Sequence, residues 1–207
     1  MDMRIQQGLY DATQNKWIID REDPLLKIVF YDGIKLLLVL YALGMFAILL
    51  FFHRFNISRH FRLPILIALL TIVLVPSLVN ELKSVTNVPC PKEVTLFGGT
   101  LPHVDVLDRW PENVRPIELP GCFPAAHASG GFSLLALILL AKPDQRRNRI
   151  LIGLFALGVG FVIGGYKMAI GDHFLSHTLV SMFISWLVIA LLCAVLSKRS
   201  PLSGQTR

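Results

Sequence analysis

Histidines and lysines, which can move a proton or bind an anion, occur in three polar segments of an otherwise apolar chain. The segments are residues 83–92, 123–130 and 166–177. The side chains are Lys83, Lys92, His127, Lys167, His173 and His177. Cleavage of a phosphate ester needs a nucleophile, an acid for the departing oxygen, and cations for the remaining oxygens. Histidine can fill the first two roles because its pKa lies near neutral pH, and lysine can fill the third.

The spacing of these residues decides between a site and an ordinary membrane surface. A single lysine at the end of an apolar helix usually snorkels to the interface, and a single histidine there usually has no chemical role. His173 and His177 lie four positions apart, so they share one face of a helix. Three helix ends that each bring a histidine or a lysine favour a shared phosphate site.

The elements that would carry these residues are membrane helices. The chain has 207 residues, of which 54% are hydrophobic and 16% are charged, whereas soluble domains have about 25% charged residues. Five apolar runs approach the roughly 20 residues that a helix needs to cross a bilayer. They are residues 36–52, 63–79, 128–141, 150–165 and 178–196. The predicted fold is an all-α, polytopic transmembrane helix bundle.

Two details of these runs predict the extent of the helices and how closely they pack. The third and fourth runs are short, so we expect both helices to extend into the flanking polar segments. The fourth run contains Gly160 and Gly164, and this small-residue spacing predicts close approach of neighbouring helices.

The distribution of basic residues predicts the orientation of the bundle. They cluster in the connecting segments 53–62 and 142–149 and in the tail 197–207. Short basic loops stay on the cytoplasmic side, so all three polar segments are predicted at the outer face. The net charge of +6 reports this orientation, because no basic helix or aromatic-basic surface predicts binding of nucleic acid.

The N-terminal residues 1–33 are predicted to be an extracytoplasmic, interfacial segment. They precede the bundle, residues 34–196, which carries an outer loop over residues 81–127. Trp17 is predicted at the membrane interface, and Pro24 is predicted to start a short surface helix. Five spans and a cytoplasmic tail leave the N-terminus outside, with two explanations open: a sixth, upstream span precedes this chain, or the segment inserts by another route.

The three polar segments resemble the motifs of the type 2 phosphatidic acid phosphatase superfamily, which includes bacterial lipid phosphatases and shares its site with vanadium haloperoxidases. That family has a lysine, six residues and Arg-Pro; then Pro-Ser-Gly-His; then Ser-Arg, five residues, His, three residues and Asp. Here the corresponding residues are Lys83 with Cys90-Pro91, then Pro124-Ala125-Ala126-His127, then Lys167, His173 and His177. The order and spacing agree over residues 63–196. Cys-Pro in the first motif and His-Phe-Leu-Ser-His in the third are similar to one membrane branch of this superfamily.

The resemblance implies a mechanism and a set of roles. His173 would attack phosphorus to form a phosphohistidine, and His127 would protonate the departing lipid oxygen and then activate water. The catalytic residues are thus His127, His173 and His177. The phosphate oxygens would be held by Lys83, Lys92, Lys167 and backbone amides near Gly130. The resemblance implies no metal and no other cofactor.

The departures from the motifs bear on that mechanism. Cys90 and Lys167 replace arginines, and a lysine presents a point charge in place of a bidentate fork, so we expect looser phosphate orientation. Ala125 replaces the serine of the second motif. His177 replaces the aspartate that orients the nucleophile. The candidates for that lost role are His177 itself, Asp172 and Asp105.

The cysteines predict a disulfide. Cys193 lies in the last apolar run and is expected to pack there, whereas Cys90 and Cys122 bound the outer loop. An oxidising compartment favours a bridge between these two, and the alternative is two free thiols.

The sequence thus predicts a lipid phosphatase of the bacterial inner membrane with its active site facing the periplasm. The rival interpretations are a lipid phosphotransferase on the same site and a non-enzymatic lipid-binding or transport protein. Ion-coupled transport is disfavoured, since the apolar runs carry no charged residue. Expected partners are a lipid phosphate and bilayer lipids, and the oligomeric state stays open. The substrate candidates are undecaprenyl diphosphate, phosphatidylglycerol phosphate, phosphatidic acid and the phosphates of lipid A.

Overall fold

Helices form nearly all the regular structure of the protein, here described from a computed structural model of residues 1–51, 54, 58–111, 114 and 120–198. Helix α1 (Asp2–Gln7) and a hairpin of β1 (Tyr10–Asp11) and β2 (Lys16–Trp17) come first. The larger helices are α2 (Pro24–Leu50), α3 (Arg62–Thr86), α4 (Ala126–Leu140), α5 (Arg146–Ala169) and α6 (Leu175–Lys198). The fold is the all-α polytopic bundle that the sequence predicts.

The outer surface of the bundle is apolar. Helices α2, α3, α5 and α6 are each long and apolar enough to cross a membrane. Large apolar side chains are exposed on them, such as Leu43 of α2, Phe155 of α5 and Trp186 of α6. Soluble proteins seldom expose contiguous apolar surface on this scale. These helices therefore indicate a membrane protein.

The shortest apolar helix, α4, lies in the core of the bundle. It is α-helical over Ala126–Ser133 and continues as a 3-10 helix over Leu134–Leu140. Its Gly131 lies against α5, where an added Cβ would come within 2.8 Å of the Gly160 Cα. The predicted close approach at Gly160 is therefore confirmed, and both α4 and α5 extend into the polar segments as expected.

The first membrane helix begins earlier than the sequence predicts. Pro24 starts it, and the Asp23 carboxylate caps it by accepting a hydrogen bond of 2.9 Å from the Leu25 amide. The helix does not end after a short surface stretch but passes through a π-helical turn, Ile28–Gly33, and continues to Leu50. The predicted boundary at residue 33 thus lies inside one continuous helix, because the π-helical turn keeps the backbone hydrogen-bonded there.

The N-terminal residues fold onto the connection between α5 and α6. Gln6 is fully buried, and its side-chain amide donates a hydrogen bond of 2.8 Å to the Met168 carbonyl. Trp17, which the sequence places at the membrane interface, packs on Phe97 with ring centroids 5.5 Å apart, in a cluster that includes Phe174. The segment therefore forms part of the folded domain. The basic segment 53–62 is described only in part, and the tail beyond residue 198 lies outside the described residues.

Candidate active site

The predicted site residues lie at one end of the bundle. The C-terminal ends of α3 and α5 and the N-terminal ends of α2, α4 and α6 meet there. Tyr31 of α2 contacts two of the residues, with its ring centroid 5.0 Å from that of His127 and 4.8 Å from the Lys167 ammonium. His127 is the second residue of α4, and Lys167 lies in the last turn of α5. The helix ends that the motifs mark are therefore neighbours in space.

Three cations surround the carboxylate of Asp172. The Lys92 ammonium lies 3.0 Å from one carboxylate oxygen, and the Lys167 ammonium lies 3.1 Å from the other. The guanidinium of Arg21 also contacts the first oxygen. The Asp172 side chain is 16% exposed and that of Lys167 only 7%, so this pair is largely shielded from solvent, whereas Arg21 and Lys92 are partly exposed. A charged pair in such a setting is stronger than one at an open surface.

The two histidines of the third motif are buried side by side. His173 is 3% exposed and His177 is 2% exposed, and their ring centroids are 5.7 Å apart. The His177 Nδ1 lies 3.0 Å from the Cys122 carbonyl oxygen. Because a carbonyl only accepts hydrogen bonds, His177 carries its proton on Nδ1, and its Nε2 keeps a lone pair. His177 can therefore act as a neutral acceptor.

His173 is held in its uncharged form. Burial lowers its pKa well below the ordinary value, and the positive charge of nearby Lys83 lowers it further. Among the described residues, the His173 Nδ1 has no hydrogen-bond partner. A buried, neutral imidazole with an unpaired nitrogen retains the lone pair that a nucleophile needs.

The candidates for the missing aspartate can now be compared. Asp172 is adjacent to His173 in sequence, but its carboxylate binds cations. Asp105 is exposed and lies 3.8 Å from the His103 imidazole. His177 is the candidate whose ring packs near that of His173.

Two cavities meet beside His127. A polar cavity of about 330 Å³ is bordered by the cation cluster, and an apolar cavity of about 360 Å³ lies between α2, α3, α4 and α5. Both are lined by Tyr31 and His127. The polar cavity is also lined by Arg21, Lys92, Tyr166, Lys167 and Asp172. A molecule with an anionic head and an apolar chain would match this pair of cavities.

Two predicted phosphate ligands lie outside the polar cavity. Gly130 lines the apolar cavity, where an added Cβ would come 2.9 Å from the Leu38 side chain of α2. It is the fifth residue of α4, beyond the first turn whose amides lack intrahelical partners. Lys83, in the last turn of α3, is close enough for its charge to lower the pKa of His173.

A disulfide joins Cys90 and Cys122, whose Cα atoms are 5.2 Å apart. The Cys122 amide also donates a hydrogen bond of 2.9 Å to the Val88 carbonyl. The bridge therefore fixes the carbonyl group that accepts the proton of His177. It connects the first motif to the second at the point where both approach α6.

Sequence reasoning missed Arg21 and Tyr31. Arg21 lies 151 positions from Asp172, in an acidic stretch with no recognisable motif. From the sequence alone, Tyr31 is indistinguishable from an aromatic residue at the membrane interface. The sequence signal that bears on both residues is the pair Asp23-Pro24, an N-cap followed by a proline, which marks the start of α2 and so helps to place Arg21 and Tyr31.

A family model described as the PAP2 superfamily matches residues 64–201, that is 138 of the 207 residues. The chain belongs to the PAP2 superfamily. Members of this superfamily are phosphatases, so the match supports a hydrolase that acts on phosphoesters. No curated protein and no solved structure matches the chain. All three motifs lie within the matched region, whereas Arg21 and Tyr31 lie outside it.

Proposed function

We propose that this PAP2 protein is a membrane lipid phosphatase that hydrolyses a lipid-linked phosphomonoester or diphosphate through a phosphohistidine intermediate. The observation that carries the proposal is the pair of adjoining cavities that share Tyr31 and His127. The polar cavity suits a phosphate head, and the apolar cavity opens among helices that are apolar enough to lie in a bilayer. A water-soluble phosphate ester has no apolar chain that would fill the apolar cavity.

The cation cluster supplies the phosphate-binding part of the site. Lys92 and Lys167 already hold a carboxylate, with nitrogen–oxygen distances of 3.0 and 3.1 Å. A phosphoryl group carries more negative charge than a carboxylate and has more oxygens to share. The same two ammonium groups, together with Lys83, would stabilise the charge that develops on these oxygens during transfer.

The chemical steps rest on the neutral state of His173 and on the position of His127 between the two cavities. A lone pair of the neutral His173 ring forms a bond to phosphorus, and the bond between phosphorus and the lipid oxygen breaks with its electrons going to that oxygen. A proton from His127, at the junction of the two cavities, neutralises the leaving oxygen. His127 then takes a proton from water, whose oxygen attacks the phosphohistidine. The products are inorganic phosphate and free His173.

His177 is proposed to position the nucleophile. Its Nδ1 proton is committed to the Cys122 carbonyl, which leaves Nε2 as an acceptor. In that state it can stabilise the proton that His173 retains while its other nitrogen attacks. The role is the one that the third-motif aspartate would otherwise fill.

The outward orientation rests on charge and redox chemistry. Arg146, Arg147 and Arg149 lie at the start of α5, and Lys167 lies in its last turn, about 30 Å away at 1.5 Å per residue. Basic residues favour the cytoplasmic side, and the Cys90–Cys122 disulfide favours an oxidising compartment for the site end. We therefore propose a bacterial inner-membrane protein with its site facing the periplasm.

Release of inorganic phosphate in detergent micelles tests the proposal. The probes are the four substrate candidates, with the lipid products separated by thin-layer chromatography. We expect release from at least one lipid, its loss in His173→Ala and His127→Ala, and full release in His60→Ala, a control distant from the site. Transfer of the phosphoryl group to an added acceptor lipid, with little release, would identify a phosphotransferase. Saturable lipid binding with no reaction would identify a binding protein.

A further inference from the structure

The N-terminal residues, which lie outside the family match, complete one wall of the site. The Ser176 amide donates a hydrogen bond of 3.2 Å to the Asp2 carboxylate. An added Cβ at Gly171 would run into the Trp17 indole, so the two pack without a gap. Gly171 has φ of +75°, a conformation that favours glycine. These contacts attach the N-terminal segment to the turn that carries Asp172 and His173.

Arg21 lies in a short connection that is fixed at both ends. On one side, β2 pairs with β1 in an antiparallel hairpin. On the other, Asp23 caps α2 through hydrogen bonds of 2.9 and 3.1 Å to the Leu25 and Leu26 amides. The backbone is thereby fixed on both sides of Arg21, and the Arg21 side chain contacts Asp172.

The position of Arg21 leaves its guanidinium accessible to an anion in the polar cavity. It lines the polar cavity with Lys92 and Lys167, and its side chain remains 41% exposed. Among the described residues that bind Asp172, it is the one guanidinium. A guanidinium offers a planar fork that grips two oxygens of a phosphate, whereas each ammonium acts as a point charge.

We infer that Arg21 binds and orients the phosphoryl group of the substrate, so that the N-terminal segment contributes a substrate-binding residue to the site. This inference rests on the proposed phosphatase function. The alternative is a structural ion pair in which Arg21 only ties the N-terminal segment to Asp172. The two differ in whether the affinity for a free phosphate depends on Arg21.

The experiment compares Arg21→Gln and Arg21→Lys with Arg4→Gln, a matched loss of one exposed arginine from the same segment. Inorganic phosphate and orthovanadate serve as competing anions in the phosphate-release assay. We expect Arg21→Gln to raise their half-inhibitory concentrations and the KM by about tenfold, the size expected for losing a bidentate charged contact. Arg21→Lys should recover part of this loss, and Arg4→Gln should behave as the wild type.

A purely structural role predicts the opposite pattern. The thermal midpoint of Arg21→Gln would then fall while the KM and both half-inhibitory concentrations stay at wild-type values, and that result would overturn the inference. If no lipid is hydrolysed, the proposed function fails on its own, and phosphate binding is measured as the rise of the thermal midpoint with inorganic phosphate. A rise lost in Arg21→Gln but kept in Arg4→Gln supports the binding role. The same rise in both variants, or no rise in the wild type, contradicts it.

Discussion

Replacing Asp172 with asparagine removes the anion that now occupies the cation cluster. In the structure, the carboxylate of Asp172 takes up charge from Lys92, Lys167 and Arg21. A phosphate that enters the polar cavity must compete with this carboxylate for the same donors. We therefore expect Asp172→Asn to bind inorganic phosphate more tightly than the wild type.

The size of the effect follows from the contacts. Two of the ion pairs are 3.0 and 3.1 Å long, and the carboxylate is 16% exposed. A hydrogen bond to a charged group contributes about 1.5–3 kcal/mol. Loss of competition on that scale corresponds to a roughly ten- to hundredfold gain in phosphate affinity, at about 1.4 kcal/mol per factor of ten. Partial exposure and the remaining amide of asparagine place the expectation at the lower end.

The assay is the thermal midpoint of the detergent-solubilised protein as a function of inorganic phosphate, which requires no catalytic activity. Asp144→Asn is the matched control, because Asp144 is an exposed acid before α5, at the opposite end of that helix from Lys167. We expect its phosphate dependence to match that of the wild type. A weaker or unchanged phosphate affinity in Asp172→Asn would refute the competition and would mean that the carboxylate arranges the cations for phosphate.

Three further predictions follow from the packing and the burial of the site. Reducing the Cys90–Cys122 disulfide should lower stability by about 3–4 kcal/mol for a loop of this length. It should also lower kcat, because the Cys122 carbonyl that accepts the His177 proton is then held less firmly. Unchanged kcat after complete alkylation of both thiols would contradict this. Gly131→Ala should lower the thermal midpoint, because the added Cβ meets α5, and the expected cost in stability is about 1–3 kcal/mol. Gly158→Ala, which has open space around its Cβ, should leave the midpoint unchanged. Equal midpoints in the two variants would contradict the close packing of α4 on α5. Burial lowers the pKa of His173 below 6.5, so below that pH the histidine takes up a proton in the unfolded chain but not in the folded protein. Between about pH 7.5 and pH 5.5 the wild type should therefore lose about 1 kcal/mol more stability than His173→Gln. Identical losses would mean that His173 is already accessible to protons in the folded protein.

The bundle could be predicted because its helices follow from local rules. Apolar runs of near-bilayer length specify the spans, and the Gly160 spacing predicts where α5 is approached closely. The start of α2 could not be placed, because Pro24 and an apolar run are equally compatible with a short surface helix. The π-helical turn at Ile28–Gly33 that joins the two stretches leaves no sequence signal.

The candidate site was predictable where a motif sets the spacing and not where the tertiary fold does. His127, His173 and Lys167 stand at fixed intervals, so their residue types could be related to phosphoryl chemistry. Arg21 reaches Asp172 only because the N-terminal segment folds over the α5–α6 connection. That contact depends on the packing of Trp17 and Gln6, which a single sequence does not reveal.

The central claim is that His173 carries the phosphoryl group, and mass spectrometry of protein quenched during turnover tests it most directly. The quench is alkaline because phosphohistidine is labile in acid, and the substrate is whichever candidate lipid is hydrolysed. We predict a phosphoryl adduct on the peptide that contains His173, and its absence in His173→Gln. Sustained phosphate release by the wild type with no adduct, or with the adduct on His127, would contradict the mechanism.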